Sequence, residues 1–398
     1  MIKAVLLDLD DTLLDNPTEP FAHHMIEALD AFLTEQAGWR DARNSITAAL
    51  RAVIENRDPL LSNLDVFLAR LEKSWSLPMA EKLACFAAFY QEVFPRLQEI
   101  VQPRAAAPGL VHWLIEAGYR VVIATNPIFT AEAVTQRLAW AGLPDDLAAY
   151  AFVTHMANTH FTKPHPHYYE EILARIGAGA EEALMVGDDR QNDIVPAEQA
   201  GLNTFWIRPA GAQPATDGAH PDGQGTLDDF ARQVCGEGWL ETLTPHPPRP
   251  AMLIPRLSAN VAALFGLRQE IGPEAWQQRP APDEWSPSEV ARHLRDAERL
   301  VLRPRLEQLV SDADLHLVEP SGPAVTSSAE NEPDPADGFA AERATTLAFL
   351  ESLPAAAWER PARHPVYGAA TLLQEAAFVS SHDRAHIQQV AARLKKNL

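Results

Sequence analysis

The run Val5-Leu6-Leu7-Asp8-Leu9-Asp10-Asp11-Thr12 constrains this chain more than any other stretch. Consecutive aliphatic residues without polar alternation predict a strand buried on both faces of a parallel sheet. Open sheets of that kind bind ligands beyond the carboxyl ends of their strands. Here that end carries Asp8, Asp10 and Asp11. Asp8 and Asp10 are two positions apart and share a face if the strand continues. Crowded carboxylates repel one another and need a cation to be tolerated. The tip is therefore a candidate Mg²⁺ site with a nucleophilic carboxylate.

At 398 residues, the chain is long enough for two or three domains, and 46% apolar residues support a large core. A formal net charge of −21 excludes the basic stripe that nucleic-acid binding requires. Cys85 and Cys235 stand far apart, so neither a disulfide framework nor a zinc-finger spacing is expected. The chain enters its first strand directly from Met1-Ile2-Lys3-Ala4, without the pattern of a signal peptide, and no uninterrupted apolar run suggests a membrane span. These features predict a soluble cytoplasmic protein that contacts no nucleic acid or membrane.

Residues from about 21 to 100 read as helices alone, which makes them an insertion lying over the carboxyl end of the sheet. Strands then alternate with helices. Arg120 to Ala124 ends in Thr125-Asn126-Pro127, Tyr150 to Thr154 follows, Ala183 to Val186 ends in Gly187-Asp188-Asp189, and Thr204 to Ile207 is the last strand. This alternation predicts a doubly wound parallel sheet. Residues 209–225 read as a loop and Leu227 to Val234 as a closing helix. Thr244-Pro245-His246-Pro247-Pro248-Arg249-Pro250 is a stiff, extended linker. The predicted division is an α/β domain over 1–242 with a helical cap inserted at about 15–100, a linker over 243–251, and an all-α domain over 252–398.

The last part shows no strand pattern. Helical segments near 253–270, 287–310, 337–353 and 370–395 predict a four-helix bundle, with a long polar loop over 312–336. Ser286-Pro287-Ser288-Glu289 opens the second helix as a capping box with Pro at its first position. His382 and His386 are four apart on the last helix and share a face. His293 lies on the apolar side of the second helix, with Val290, Leu294 and Ala297. Three imidazoles with positions left open for water are the ligand pattern of a catalytic rather than a closed structural metal site.

Four motifs in order resemble the haloacid dehalogenase-like superfamily, in its phosphatase branch. They are Asp8-Leu9-Asp10-Asp11-Thr12, Thr125 at a strand end, Lys163-Pro164 before a helix, and Gly187-Asp188-Asp189 with Asp193 following. The resemblance implies that Asp8 is the nucleophile and forms an aspartyl-phosphate. It makes Asp10 the general acid for the leaving group and then the base for water. It implies that the Thr125 hydroxyl and the Asn126 amide bind phosphate oxygens. Lys163 would supply positive charge beside the nucleophile. Asp188 and Asp193, with Asp8 and the Asp10 carbonyl, would hold Mg²⁺. Asp189 is either an alternative ligand or a solvated turn residue. Asp10 favours phosphate-ester hydrolysis over halide displacement, while a phosphomutase stays open. The helical insertion resembles the family's cap, which implies a small phosphorylated metabolite as substrate. His23 and His24 lie early in the insertion and either face the cleft or form an ordinary helix-surface pair, while His155, His160, His165 and His167 read as surface residues.

The second half resembles the DinB-like bundles, through Trp285-Ser286-Pro287 leading to His293 and through the His382-x-x-x-His386 pair. That resemblance implies a divalent metal, Zn²⁺, Ni²⁺ or Fe²⁺, on His293, His382 and His386. It leaves open a thiol transferase or hydrolase activity, or a role in homodimerisation. Asp383 and Glu298 are candidates to support the histidines.

Overall fold

The structure, a computed structural model, describes residues 1–208, 220–311, 334–364 and 368–396. The chain forms two compact units, one of Met1–Tyr169 with Ala178–His246, the other of Glu170–Gly177 with Pro247–Leu398.

In the first unit the strands are β1 (Ala4–Leu7), β2 (Leu14–Asp15), β3 (Gln102–Pro103), β4 (Arg120–Ile123), β5 (Phe152–Val153), β6 (Ala183–Gly187), β7 (Asn203–Ile207) and β8 (Gly223–Gly225). Six of them make a parallel sheet in the order β5-β4-β1-β6-β7-β8. Every residue of β1 and β6 is buried, as unbroken aliphatic strands require when helices cover both faces. β1 lies between β4 and β6, with Leu7 beside Ile123 and Val186. That register brings Asp8, Thr125 and Asp188 together at the carboxyl end of the sheet. β8 corrects the expected loop over 209–225: its last residues join the sheet, although Gly-Gln-Gly carries no apolar signal. Residues 209–219 of that loop lie outside the described residues.

Asp11 is the one non-glycine residue with positive φ among the described residues, at 58°, so the chain leaves the site through a left-handed turn. The insertion then runs through helices Thr18–Ala37, Ala42–Glu55, Asn63–Glu72 and Met79–Glu92, and a 3₁₀ turn, Phe94–Ile100. Ser62 and Asp65 form a capping box that starts the third helix. Trp39 stacks on Trp75 with ring centroids 4.2 Å apart, one of several aromatic pairs filling this layer. Where the insertion leaves and rejoins the core, β2 and β3 pair antiparallel, Leu14 with Pro103 and Asp15 with Gln102.

The second unit is built on helices Pro250–Ile271, Pro287–Ala297, Pro335–Glu351 and Leu372–Lys396. The second of these continues through a π-helical turn, Glu298–Leu302, into Arg303–Ser311. A hairpin of β9 (Pro361–His364) and β10 (Gly368–Thr371) precedes the last helix, a departure from the all-helical expectation. Most of the expected loop over 312–336 lies outside the described residues. Helix Pro250–Ile271 is long and apolar enough by composition to cross a membrane, but its most apolar window is 72% buried among its neighbours.

Candidate active site and metal centres

The first site is assembled from strand ends. Asp8 follows β1, its amide donating to the Val186 carbonyl at 2.9 Å. Asp188 follows β6, and Asp193 lies in a π-helical turn, Arg190–Ile194. Carboxylate oxygens of Asp8, Asp188 and Asp193 all lie within 4.8 Å of one another. Lys163 enters from the loop after β5, and its Nζ donates to Asp8 Oδ1 and to Asp193 Oδ1, both at 2.6 Å. Asp8, Lys163 and Asp193 are buried.

Burial raises the Asp8 carboxyl well above its ordinary range, and neighbouring carboxylates add to the rise against the pull of Lys163. Asp193 is raised by burial too. Burial, then the charge of Asp193, pushes Asp188 up from its ordinary 3.8 to about 7. Burial alone would lower Lys163, but Asp193 and Asp8 outweigh it and hold the ammonium well above its usual value. Three carboxylates around a single ammonium leave two negative charges uncompensated, which fits a divalent cation with oxygen ligands.

These shifts carry a sign. A carboxyl that binds its proton more tightly folded than unfolded makes stability fall as pH rises, here between about 4 and about 7. In EDTA, the thermal midpoint of the first unit is expected to drop by several degrees from pH 5 to pH 8, and Mg²⁺ at pH 8 is expected to restore it. A midpoint insensitive to both would show that the carboxylates are not crowded in this way.

Gly187 owes its place to close approach. A Cβ there would lie 2.2 Å from Asp193 Oδ2 and 2.3 Å from its Cγ. Gly187→Ala must therefore displace a carboxylate held by Lys163 and, at 3.0 Å, by the Asp189 amide. A displacement near 1 Å in such a site costs about 100-fold in kcat/KM. Steady-state kinetics and a Mg²⁺ titration check this, with weaker Mg²⁺ binding expected alongside.

The remaining residues sort by their partners. The Thr125 carbonyl accepts from Thr154 Oγ1 at 2.7 Å and Tyr168 Oη at 2.8 Å, which fixes the end of β4. Asn126 follows Thr125, and its carbonyl accepts from the Ile128 amide at 2.8 Å. Asp189 caps the π-helical turn, with Oδ1 accepting from Gln191 at 2.8 Å and Asn192 at 3.1 Å, and Oδ2 taken by Asn192 Nδ2. It is a turn residue. The carboxylate of Asp10 is not part of the acidic cluster. It accepts from Asn16 Nδ2 at 2.7 Å and Thr125 Oγ1 at 3.4 Å, and pairs with Arg137. Sequence reasoning missed Asn16 and Arg137.

His23 and His24 are at the surface, with His23 3.1 Å from Glu27. His160, by contrast, is buried. The loop before Lys163 runs beneath the insertion, where Asn56 donates to the His160 carbonyl at 3.0 Å and Asn63 to the Phe161 carbonyl at 3.2 Å. His165 is half-buried, with Nε2 3.1 Å from the Ile54 carbonyl, and His167 packs on Phe161.

The second site lies within the bundle. His293 Nε2 is 3.2 Å from His382 Nε2, and the His386 ring lies 4.4 Å from that of His293 and 4.7 Å from that of His382. Burial, then His386 and His382, lowers His293 to about 4, and His386 is lowered by burial as well. Neutral imidazoles with converging lone pairs fit a divalent transition metal. Gln389 Oε1 lies 3.2 Å from His386 Nδ1, which leaves Nε2 of that ring free for a ligand. Trp285 stacks against His386.

Behind the histidines, Arg343 donates to Glu298 at 2.9 and 2.8 Å, to Asp383 at 2.7 Å and to the Leu257 carbonyl at 3.3 Å. Asn260 also donates to Asp383, at 3.2 Å. Glu298 therefore serves Arg343 rather than an imidazole, and Asp383 lies 3.6 Å from His382 Nδ1, too far for a hydrogen bond. The sequence reading missed Arg343.

Residues 2–201 match the model of the haloacid dehalogenase-like hydrolases. The chain belongs to that family. Residues 256–390 match the DinB superfamily, so this hydrolase carries a DinB-type domain that follows its catalytic one in the sequence. Phosphoserine phosphatase of Thermus thermophilus is 30% identical over 56% of this chain and 94% of its own. Glyceraldehyde 3-phosphate phosphatase of Pyrococcus abyssi is 26% identical over 52% of this chain and 82% of its own. Pyrimidine 5'-nucleotidase PynA of Streptococcus pneumoniae is 30% identical over 52% and 84%. The hydrolase is an enzyme of the phosphatase class.

Proposed function

We propose that the hydrolase is a Mg²⁺-dependent phosphatase of small phosphorylated metabolites, working through an aspartyl-phosphate. The observation that carries this is the buried cluster of Asp8, Asp188 and Asp193 around Lys163. Asp8 attacks phosphorus and the ester oxygen leaves, taking a proton from Asp10. Asp10 then removes a proton from water, which attacks the phosphorus of the aspartyl-phosphate and frees Asp8 and inorganic phosphate. Thr125 and the Asn126 amide orient the phosphate oxygens, and Lys163 offsets their charge. Asp8, Asp188, Asp193 and the Asp10 carbonyl would hold Mg²⁺, which would supply positive charge against the phosphoryl group. The three relatives described above are named for small phosphate esters, and a helical insertion of this kind supports a substrate of that size. The test is phosphate release from a panel of phosphorylated metabolites with Mg²⁺ and with EDTA. No release from any of them in Mg²⁺ would reject the reading.

A second reading concerns the bundle, and the three convergent imidazoles favour it. We propose that His293, His382 and His386 hold a divalent transition metal with coordination positions left for a substrate, for hydrolase or thiol-transferase chemistry. Metal analysis of the purified protein and of His382→Ala tests this. Equal stoichiometry in both would rule out the site.

A further inference from the structure

Arg137 is fully buried on helix Ala131–Trp140, although no chemistry assigned above uses it. Its Nε donates to the Ala133 carbonyl at 3.3 Å, its guanidinium lies 4.1 Å over the Phe129 ring, and Nη2 has no hydrogen-bond partner. Nη1 pairs with Asp10 Oδ2. A buried guanidinium is expensive to desolvate, and a helix packed on a sheet would be covered more cheaply by Leu or Met. Arg137 is thus retained at a cost, and the functional group it touches is the Asp10 carboxylate.

That carboxylate is held from three segments. Asn16 comes from the start of the insertion, Thr125 from the end of β4, and Arg137 from the helix that follows. Asn16 is a short amide and Thr125 a distant hydroxyl, at 2.7 and 3.4 Å. Arg137 is the charged member, and it stands on the buried face of its helix with Ala133, Val134 and Leu138. We propose that Arg137 is the positioning residue for Asp10. Its guanidinium fixes where the Asp10 carboxylate stands, and hence how well a proton reaches the leaving oxygen. The inference rests on the phosphatase reading and on Asp10 as its acid.

Leaving-group dependence separates positioning from packing. p-Nitrophenolate departs readily without a proton, whereas phenolate needs one. A properly placed general acid is worth about 10²–10⁴-fold where the proton is needed. In Mg²⁺, Arg137→Gln is expected to lose at least about 30-fold more kcat on phenyl phosphate than on p-nitrophenyl phosphate, with Asp10→Asn giving the same pattern. Arg137→Lys, which keeps the charge and is the variant to use should Arg137→Gln fold poorly, is expected to show the same selectivity at smaller size. Equal losses on both esters in Arg137→Lys, or no loss in either variant, would overturn the assignment. A wild-type protein inert towards both esters and towards every metabolite of the panel would instead overturn the phosphatase reading, and this inference with it.

Discussion

Asp8→Asn is expected to reduce phosphate release by on the order of 10⁴-fold or more, since loss of a covalent nucleophile leaves only binding and charge stabilisation. Asn has the volume of Asp and fits the same buried space, so the loss should not come from misfolding. The same substitution should stabilise the protein. Burial and three other carboxylates make an ionised Asp8 unfavourable in the fold, and an amide removes that charge while leaving Lys163 its pairing with Asp193. At pH 8 without Mg²⁺, the thermal midpoint of Asp8→Asn should exceed that of the wild type. Activity within a hundredfold of wild type would exclude Asp8 as nucleophile. A lower midpoint would mean that Lys163 already compensates the cluster. An enzyme of this kind gives up stability to hold its reacting groups ready.

The second large effect concerns stability alone. Arg343→Leu leaves the carboxylates of Glu298 and Asp383 buried without their cation, and both are essentially inaccessible to solvent. Removing one partner of a buried ionic network costs about 3–5 kcal/mol. Urea unfolding followed by circular dichroism should show the bundle transition moving to lower denaturant by a corresponding amount. Combining Arg343→Leu with Glu298→Gln and Asp383→Asn should recover part of it, because neutral amides are cheaper to bury. A loss below about 1 kcal/mol in the single variant would mean that water reaches the network. Phosphatase kinetics measured below the transition should be unaffected by the change.

Much of the fold could be read from the chain because hydrophobic periodicity is a local property. Val5 to Leu7, Val121 to Ile123 and Leu184 to Val186 are unbroken aliphatic runs, and each ends in a polar group that the site uses. Asp8 and Asp188 at strand tips, and His382 and His386 at four-residue helical spacing, were legible for a related reason: backbone geometry fixes such positions. Lys163, in a loop, was legible only through the family resemblance, and His293 through the apolar face it shares. β8 escaped because Gly223-Gln224-Gly225 has no side chains that mark a strand, and it pairs with β7 through its backbone. The hairpin before the last helix was hidden by Pro361, Ala362 and Gly368 in the same way. Arg137 and Arg343 were missed because charge argues for a surface position. Each nevertheless carried a signal in its spacing. Arg343 stands in the buried stripe Ala336, Phe339, Arg343, Thr346 and Leu350, and Arg137 in the stripe Ala133, Val134, Arg137 and Leu138. An arginine at a core position of a helical stripe points to a partner that local sequence cannot name, since Asp10 and Glu298 lie far away in the chain.

The two-residue ribbon of β2 and β3 has a consequence for how such an enzyme changes over generations. The chain departs and returns at hydrogen-bonded neighbours, so everything from about residue 16 to 101 is a closed excursion. Its ends stay in register whatever lies between them. A lineage can vary that excursion and acquire a new substrate while Asp8, Lys163, Asp188 and Asp193 remain where they are, provided that Asn16 still holds Asp10 and that Asn56 and Asn63 still hold the loop before Lys163. Selection can thus act on what is recognised and on how the phosphate is removed as two separate traits within one folding unit.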